Sequence, residues 1–474
     1  ISIAQDVELA SSLFAGPGLT LFASGRGAQV SVERAQSERA QTDEATTVRP
    51  GDAVLEQLAQ LLGPPGALHV RYEQTKLAID APATRDHVLD ALRSALHPSA
   101  AGADASSEPG TPLLIVAAGH GERGGVAREN SLSLWGGWSL SVEDMAEVLD
   151  AEQVRPTRFV ITACYGGGFA ELAFVRANPQ HGTRSPAHCG LFAAPADDES
   201  SGCDPNPDRR QQESYSIHFL SALSGRDRAG VDQTSALDLD RDGSISLREA
   251  HAWARIHSRS FDIPTSTSER YLREYTRSFE QERGGQPEPD LEERSVVQAL
   301  ASELELQDER SAREKLRELD RILEEAGAQV DDAQHTADDT FYALRIALLE
   351  RWPLLDHSWD PRAHALALRE GASILSLLTD SELAQGNAGA ARELEEALQQ
   401  QDSVRVARAR VLRLVRAFET LRLASALKRR GGPRYEHYAA LRECERFVPT
   451  LRAPLDRGDA GTHSDAVEAE AHAK

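Results

Sequence analysis

An α/β domain with a mostly parallel sheet and helices on both faces, followed by an all-α C-terminal domain, is what this sequence predicts. Three observations carry the prediction. Over residues 1–280, short runs that are apolar on both faces alternate with helical patterns, as strands buried between two helix layers do. At residues 281–293 the composition changes to QERGGQPEPDLEE, a Gly, Pro and charge cluster that reads as a linker. Beyond it, almost every segment carries helical spacing.

In chain order, LTLFA (19–23), LLIVAA (113–118), RFVITA (158–163) and GLFAA (190–194) are short, apolar and bounded by Gly or Pro, and so predict buried strands. Between them VLEQLAQLLG (54–63), ATRDHVLDALRSAL (83–96) and SVEDMAEVLDAE (141–152) predict helices, the last opened by Ser141 and Asp144 at capping-box spacing. Residues 294–453 predict a helical bundle, with Leu316, Leu319 and Leu323 forming one apolar stripe and Val411, Leu414, Val415 and Phe418 another. From residue 454 to 474 the chain is Ala, Asp, Glu, Gly and His without periodicity, a composition that predicts disorder.

Length and charge narrow the function. At 474 residues the chain exceeds the size at which single cores stop growing. Its 75 Asp and Glu against 52 Lys and Arg give a formal net charge of -23, which repels nucleic acid and anionic membranes. The one basic helix, VRVARARVLRLVRAFETLRLASALKRR (404–430), lacks the interleaved aromatics of a nucleic-acid binder and reads as a bundle helix. No run approaches the roughly 18 apolar residues of a membrane span, so a soluble protein is expected. The sequence starts at Ile1, and a signal peptide removed before it would make the location extracytoplasmic. Four cysteines (Cys164, Cys189, Cys203, Cys444) are too few for a disulfide scaffold, with Cys189 and Cys203 as candidates to pair in an oxidising compartment.

Two predicted strands end in reactive residues: LLIVAAGHG places His120 just past one, and RFVITACYGGG places Cys164 just past the next. The carboxyl ends of parallel strands share one edge, where ligands bind, so the two side chains are expected to meet. Either residue alone is more often structural, a buried thiol or a loop histidine. Their conjunction, 44 residues apart and each beside glycine, is what points to nucleophilic catalysis. Gly121 lets a backbone N–H face a bound carbonyl, and Gly166 to Gly168 are expected to leave room for substrate beside the thiol.

At this point the sequence resembles the caspase-like (clan CD) cysteine peptidases, closest to the legumain-type branch and its bacterial relatives. The resemblance rests on Gly119-His120-Gly121 after one apolar strand, Ala163-Cys164 and glycines after another, and FAAPADDESSGCD at 192–204. It covers roughly residues 13–280. It implies that Cys164 attacks a peptide carbonyl, that His120 is general acid and base toward the leaving amine, and that the N–H groups of Gly121 and Cys164 hold the oxyanion. It also implies that Glu199, Ser200 and Ser201 line the pocket for the residue before the cut bond, which in legumain-type enzymes suits Asn or Asp. Asp197 and Asp198 just before them form an acidic cluster that favours Arg or Lys instead. Both specificities stay open. Helical C-terminal prodomains cover the active site in legumain-type enzymes, and the helical domain here is expected to dock and autoinhibit in that way.

A second motif lies inside the catalytic domain. DLDRDGSISLRE (238–249) fills the twelve-residue EF-hand calcium pattern. Asp238, Asp240 and Asp242 stand at positions 1, 3 and 5, Gly243 at the sharp turn, the Ser244 carbonyl at 7, Ser246 through water at 9, and Glu249 as bidentate ligand at 12. Ile245, at position 8, is expected in a core contact. The bland alternative is an acidic turn before a helix. No organic cofactor is expected, and the partner is a protein or peptide substrate. The sequence therefore predicts a calcium-stabilised or calcium-activated cysteine endopeptidase. The competing expectation is a catalytically idle caspase-fold calcium-binding scaffold for protein–protein interaction.

Overall fold

The computed structural model describes residues 1–33, 50–63, 70–96, 111–151, 155–202, 208–277, 290–357 and 359–452. Its strands are β1 (Gln29–Glu33), β2 (Val70–Gln74), β3 (Leu113–Ala118), β4 (Gly121–Glu122), β5 (Ser131–Leu134), β6 (Trp138–Ser141), β7 (Thr157–Thr162), β8 (His188–Phe192) and β9 (Thr265–Ser266). Its longer helices are α1 (Ser2–Leu13), α2 (Pro50–Leu62), α3 (Arg85–Leu96), α4 (Val142–Leu149), α5 (Tyr215–Leu223), α6 (Leu247–His257), α7 (Thr267–Thr276), α8 (Leu291–Glu303), α9 (Glu309–Arg351), α10 (Pro361–Arg369), α11 (Glu382–Arg430) and α12 (Pro433–Glu445).

The central sheet has the order β3-β7-β8-β9, parallel across the first three strands and antiparallel at the short β9 edge. Alternate residues of its strands face opposite layers. Phe159, Ile161 and the half-buried Leu113, Ile115 and Ala117 pack with Leu89, Leu92 and Leu96 of α3 and Met145 and Leu149 of α4. Val160, Leu191, Leu114 and Val116 pack on the other side with Ala10 of α1, Tyr215 and Phe219 of α5 and Trp253 of α6. This α/β region with a parallel-containing sheet is followed by a large helical part. Ser141 and Asp144 form the reciprocal capping box that starts α4.

Four expectations need correction. LTLFA is not a regular strand: only Leu21 makes an isolated bridge, to Ala81, and residues 16, 25 and 27 around it are glycines at positive φ that bend the chain. The expected linker is too long: its residues 281–289 lie outside the described ones, and Asp290 already N-caps α8. The expected boundary also fails at α2, whose Val54, Leu58 and Leu61 share a core with Leu344, Leu348, Trp352 and Ile374 of the helical part. Its amphipathic pattern demanded burial of one face but could not name the partner. Finally, Cys189 of β8 is bonded not to Cys203 but to Cys444 of α12, 255 residues away; Cys203 lies outside the described residues, as does the segment 454–474.

The helical part is packed closely on the α/β region. Long helices α9 and α11 run against each other, and Leu319, Val411, Leu414 and Val415 are buried with Ala252 and Ile256 of α6. A buried ionic cluster joins the two parts further on. Arg248 of α6 pairs with Asp290 at 2.9 Å and Glu445 at 2.8 Å, and Arg255 holds Glu293 through its two terminal guanidinium nitrogens. Leaving any of these charges without its partner would be costly in so dry a setting.

Candidate active site

β3 and β7 are neighbours in parallel register, ending on the pair Ala118 and Thr162. The chain therefore leaves the two strands at one level, with His120 two residues past Ala118 and Cys164 two residues past Thr162. His120 is exposed and Cys164 half-buried, and Cys164 is the free thiol among the described residues.

Gly121 shows how tightly the two strand ends meet. A Cβ built on it would stand 1.9 Å from the Cys164 carbonyl oxygen and 2.9 Å from its carbonyl carbon. Only glycine fits there. The His120 carbonyl accepts the Ser133 amide at 2.9 Å, and Gly121 pairs with Leu132. The small antiparallel sheet β4-β5-β6 therefore holds the histidine turn in place.

The segment 197–201 lies alongside the thiol. The Ser200 N–H points to the Cys164 Sγ at 3.4 Å, and the Sγ lies 3.5 Å from the Ser200 carbonyl. Tyr165, which follows the cysteine in a left-handed conformation (φ 58°), donates its N–H to the Asp198 carbonyl at 2.9 Å. Its hydroxyl lies 3.3 Å from Glu199, and its pKa is raised by desolvation first and by that carboxylate second. Ser200 is buried, whereas Asp197 and Glu199 are exposed. Glu199 also lies 3.8 Å from the guanidinium of Arg405 on α11, a group that covers the Phe261 ring at 4.0 Å. The helical part thus reaches the 197–201 segment.

Gly166 to Gly168 do something other than expected. They form a buried 3₁₀ turn, where a Cβ on Gly167 would meet Ala194 and Pro195 backbone atoms at 2.7 Å and one on Gly168 would meet the Ala127 carbonyl at 2.7 Å. Their smallness admits neighbouring backbone, not substrate. Sequence reasoning missed Asn130, the buried residue that ties this turn together. Its amide donates to the carbonyls of Tyr165 (3.0 Å) and Ala196 (2.7 Å), and its oxygen accepts the Gly124 N–H at 3.0 Å.

Asp238, Asp240 and Asp242 converge, each offering a carboxylate oxygen within 4.8 Å of the others. The loop is turned by Arg241 (φ 63°) and Gly243 (φ 86°). Asp238 accepts the Gly243 N–H at 3.0 Å and the Asp242 N–H at 3.1 Å, while Ile245 is buried in the core, as expected. Glu249 is not gathered with the three aspartates. One of its oxygens accepts the Ser246 N–H and hydroxyl at 2.8 Å, closing a capping box on α6, and the other accepts the Leu239 N–H at 2.8 Å. Burial first raises its pKa. Three hard carboxylates on a tight loop fit a calcium ion, with Ser244 adjoining them in the loop.

No family model matches the chain, and no curated protein matches it.

Proposed function

We propose that this protein is a caspase-like cysteine endopeptidase of the legumain-related kind, in which Cys164 is the nucleophile and His120 the general acid and base. One observation supports the reading: the turns that follow two parallel neighbouring strands and carry His120 and Cys164 meet closely, with Gly121 packed on the cysteine's own carbonyl. A thiolate attacks an amide carbonyl readily and needs one positioned imidazole to protonate the departing amine. The Gly121 and Cys164 N–H groups are assigned to the oxyanion. Asp197, Asp198, Glu199, Ser200 and Ser201 are assigned to the substrate pocket, because this segment runs beside the thiol.

Calcium is proposed at Asp238, Asp240, Asp242 and the Ser244 carbonyl; for Glu249 to close the site from the start of α6, it would have to give up its Ser246 or Leu239 partner. Bound there, the ion would neutralise carboxylates that otherwise repel and stiffen the segment leading into α6. The helical part is proposed to dock permanently. The Cys189–Cys444 bond and the buried Arg248 and Arg255 pairs favour retention over release, so any autoinhibition would be relieved by local movement. A long-range disulfide also favours an oxidising, extracytoplasmic compartment. No helix among the described residues is long and apolar enough to cross a membrane.

The test is a panel of fluorogenic peptides with Asn, Asp, Arg or Lys before the reporter, run with and without a calcium chelator on the wild type and Cys164→Ala. Turnover lost in Cys164→Ala supports the enzyme. No turnover of any peptide, before or after limited proteolysis, would leave the idle calcium-binding scaffold. Equal rates with chelator would remove the calcium requirement.

A further inference from the structure

We infer that Arg413 and Asp262 are positioning residues through which the helical part holds the pocket wall, and with it the Cys164 thiol, in place. Arg413, on α11, is buried, and its guanidinium is spent on one loop of the α/β region. Nε donates to the Asp262 carbonyl at 2.7 Å, Nη1 to the carbonyls of Ser258 at 2.8 Å and Arg255 at 3.3 Å, and Nη2 to that of Ser260 at 2.7 Å. These are the last carbonyls of α6 and the turn after it, groups that a helix end leaves without intrahelical partners. The planar fork of an arginine matches four such acceptors in fixed directions, which a lysine cannot.

That turn presents Asp262, whose side chain is buried and, among the described residues, accepts from neutral donors. Its Oδ1 takes the Ser201 N–H at 2.6 Å; its Oδ2 takes the Ser201 hydroxyl at 2.8 Å, the Tyr215 N–H at 2.7 Å and the Ser260 hydroxyl at 2.8 Å. Ser201 is thereby fixed through both main chain and side chain. The preceding residue, Ser200, is the one whose N–H faces the Cys164 sulfur. Its carbonyl also lies 3.5 Å from the same sulfur, so Ser200 brackets the thiol with a donor and an acceptor and fixes its position. The order of contacts is therefore Arg413 to the 258–262 turn, Asp262 to Ser201, and Ser200 to the thiol. Calling the segment a substrate wall rests on the peptidase reading; the link to the thiol does not. The helical part acts in this account as a buttress of the site.

The test reads the thiol directly. Rates of iodoacetamide alkylation at Cys164 are measured across pH by site-resolved mass spectrometry, in a Cys203→Ser background, for Arg413→Met, Arg413→Lys, Asp262→Asn, Ser201→Ala and Arg408→Met. Arg408 sits on the same helix but pairs with Asp320 inside the bundle, so its variant is the control. The expected result is an alkylation rate at pH 7 reduced at least about threefold in Arg413→Met and Asp262→Asn. Ser201→Ala, which retains the main-chain bond to Asp262, shifts less in the same direction, and Arg413→Lys recovers part of the loss. Arg408→Met matches the unsubstituted profile. Should either buried variant fail to fold, Ser201→Ala decides. A Ser201→Ala profile superimposed on the unsubstituted one, or an equal shift in Arg408→Met, would overturn the inference. Absence of peptide turnover would sink the peptidase reading while leaving this readout intact.

Discussion

Replacing Gly121 by alanine should cripple the candidate site, while the same change at Gly119, two residues earlier in the same turn, should do almost nothing. The contrast follows from space alone. A Cβ on Gly119 meets no heavy atom within 4 Å, whereas one on Gly121 falls 1.9 Å from the Cys164 carbonyl oxygen. Real Cβ contacts stay beyond 3.0 Å, so the two backbones must part by at least about 1 Å in a region packed like a crystal. Overpacking of this kind costs about 1–3 kcal/mol, and here the atoms displaced belong to the proposed nucleophile's own peptide. A misplacement of about 1 Å in a catalytic constellation costs on the order of 100-fold in rate. Gly119→Ala should change stability by less than about 0.5 kcal/mol and leave turnover near that of the wild type. Urea denaturation measures the first quantity and fluorogenic peptide turnover the second. If Gly121→Ala matched Gly119→Ala in both, the close apposition of the His120 and Cys164 turns would be refuted.

Three further outcomes follow from other parts of the molecule. Isothermal titration should give one calcium bound per chain, lost in Asp238→Ala and Asp240→Ala, and an unchanged isotherm in those variants would move calcium elsewhere. Proteolysis confined to residues 281–289 should yield two fragments that stay together on a non-reducing denaturing gel and separate on a reducing one, because Cys189 and Cys444 lie on either side of the cut; separation without reductant would contradict that pairing. Stability should fall as pH drops from 6.5 towards 4, because burial first, then nearby Arg184 and Arg158, lower the pKa of His188 to about 4, and burial first, then His218, lowers that of His257 to about 4. Each imidazole protonates more readily in the unfolded chain, which therefore binds more protons within this window, so stability is full above pH 6.5 and lost below it. A flat urea midpoint between pH 7 and pH 4.5, or an unchanged slope in His188→Gln, would show those histidines to be unperturbed.

How much of this was legible in the sequence depended on whether the cause was local. β3 and β7 were legible nearly to the residue, since Leu113–Ala118 and Thr157–Thr162 are apolar runs stopped by proline and glycine. The Ser141 cap was legible for the same reason. LTLFA has an equally apolar run but, among the described residues, only an isolated bridge to Ala81 beside it, and pairing partners are not written in a local pattern. Gly166 to Gly168 illustrate a different limit: three small residues after a cysteine look like room for a ligand, yet their space is filled by Pro195 and the 127–130 turn. Spacing likewise cannot find a disulfide that spans 255 residues. Arg413 left one signal that went unused. Ala409, Ala417, Thr420 and Ala424 recur around it at helical spacing, all buried with it, which marks its face of α11 as an interior face rather than a solvated arginine row. Asp262 left none, because a single acid in RSFDIP looks like any loop residue.

The candidate site itself was half legible. The order of elements predicted that the strands before His120 and Cys164 would be neighbours ending at one edge, and β3 and β7 pair in parallel as far as Ala118 and Thr162. The support of the site was not legible, because it comes from Asn130, Asp262 and α11, far apart in the chain and joined only by folding.

The central claim is that Cys164 is a nucleophile served by His120, and intact-mass analysis after reaction with peptidyl acyloxymethyl ketones tests it most directly. Ketones carrying Asn, Asp, Arg or Lys beside the warhead are to be offered to the wild type, His120→Ala and Cys164→Ala. The account predicts one adduct per chain, mapped to Cys164, formed at least about tenfold more slowly in His120→Ala and not at all in Cys164→Ala. An adduct on another residue, or equal rates in the wild type and His120→Ala, would contradict it.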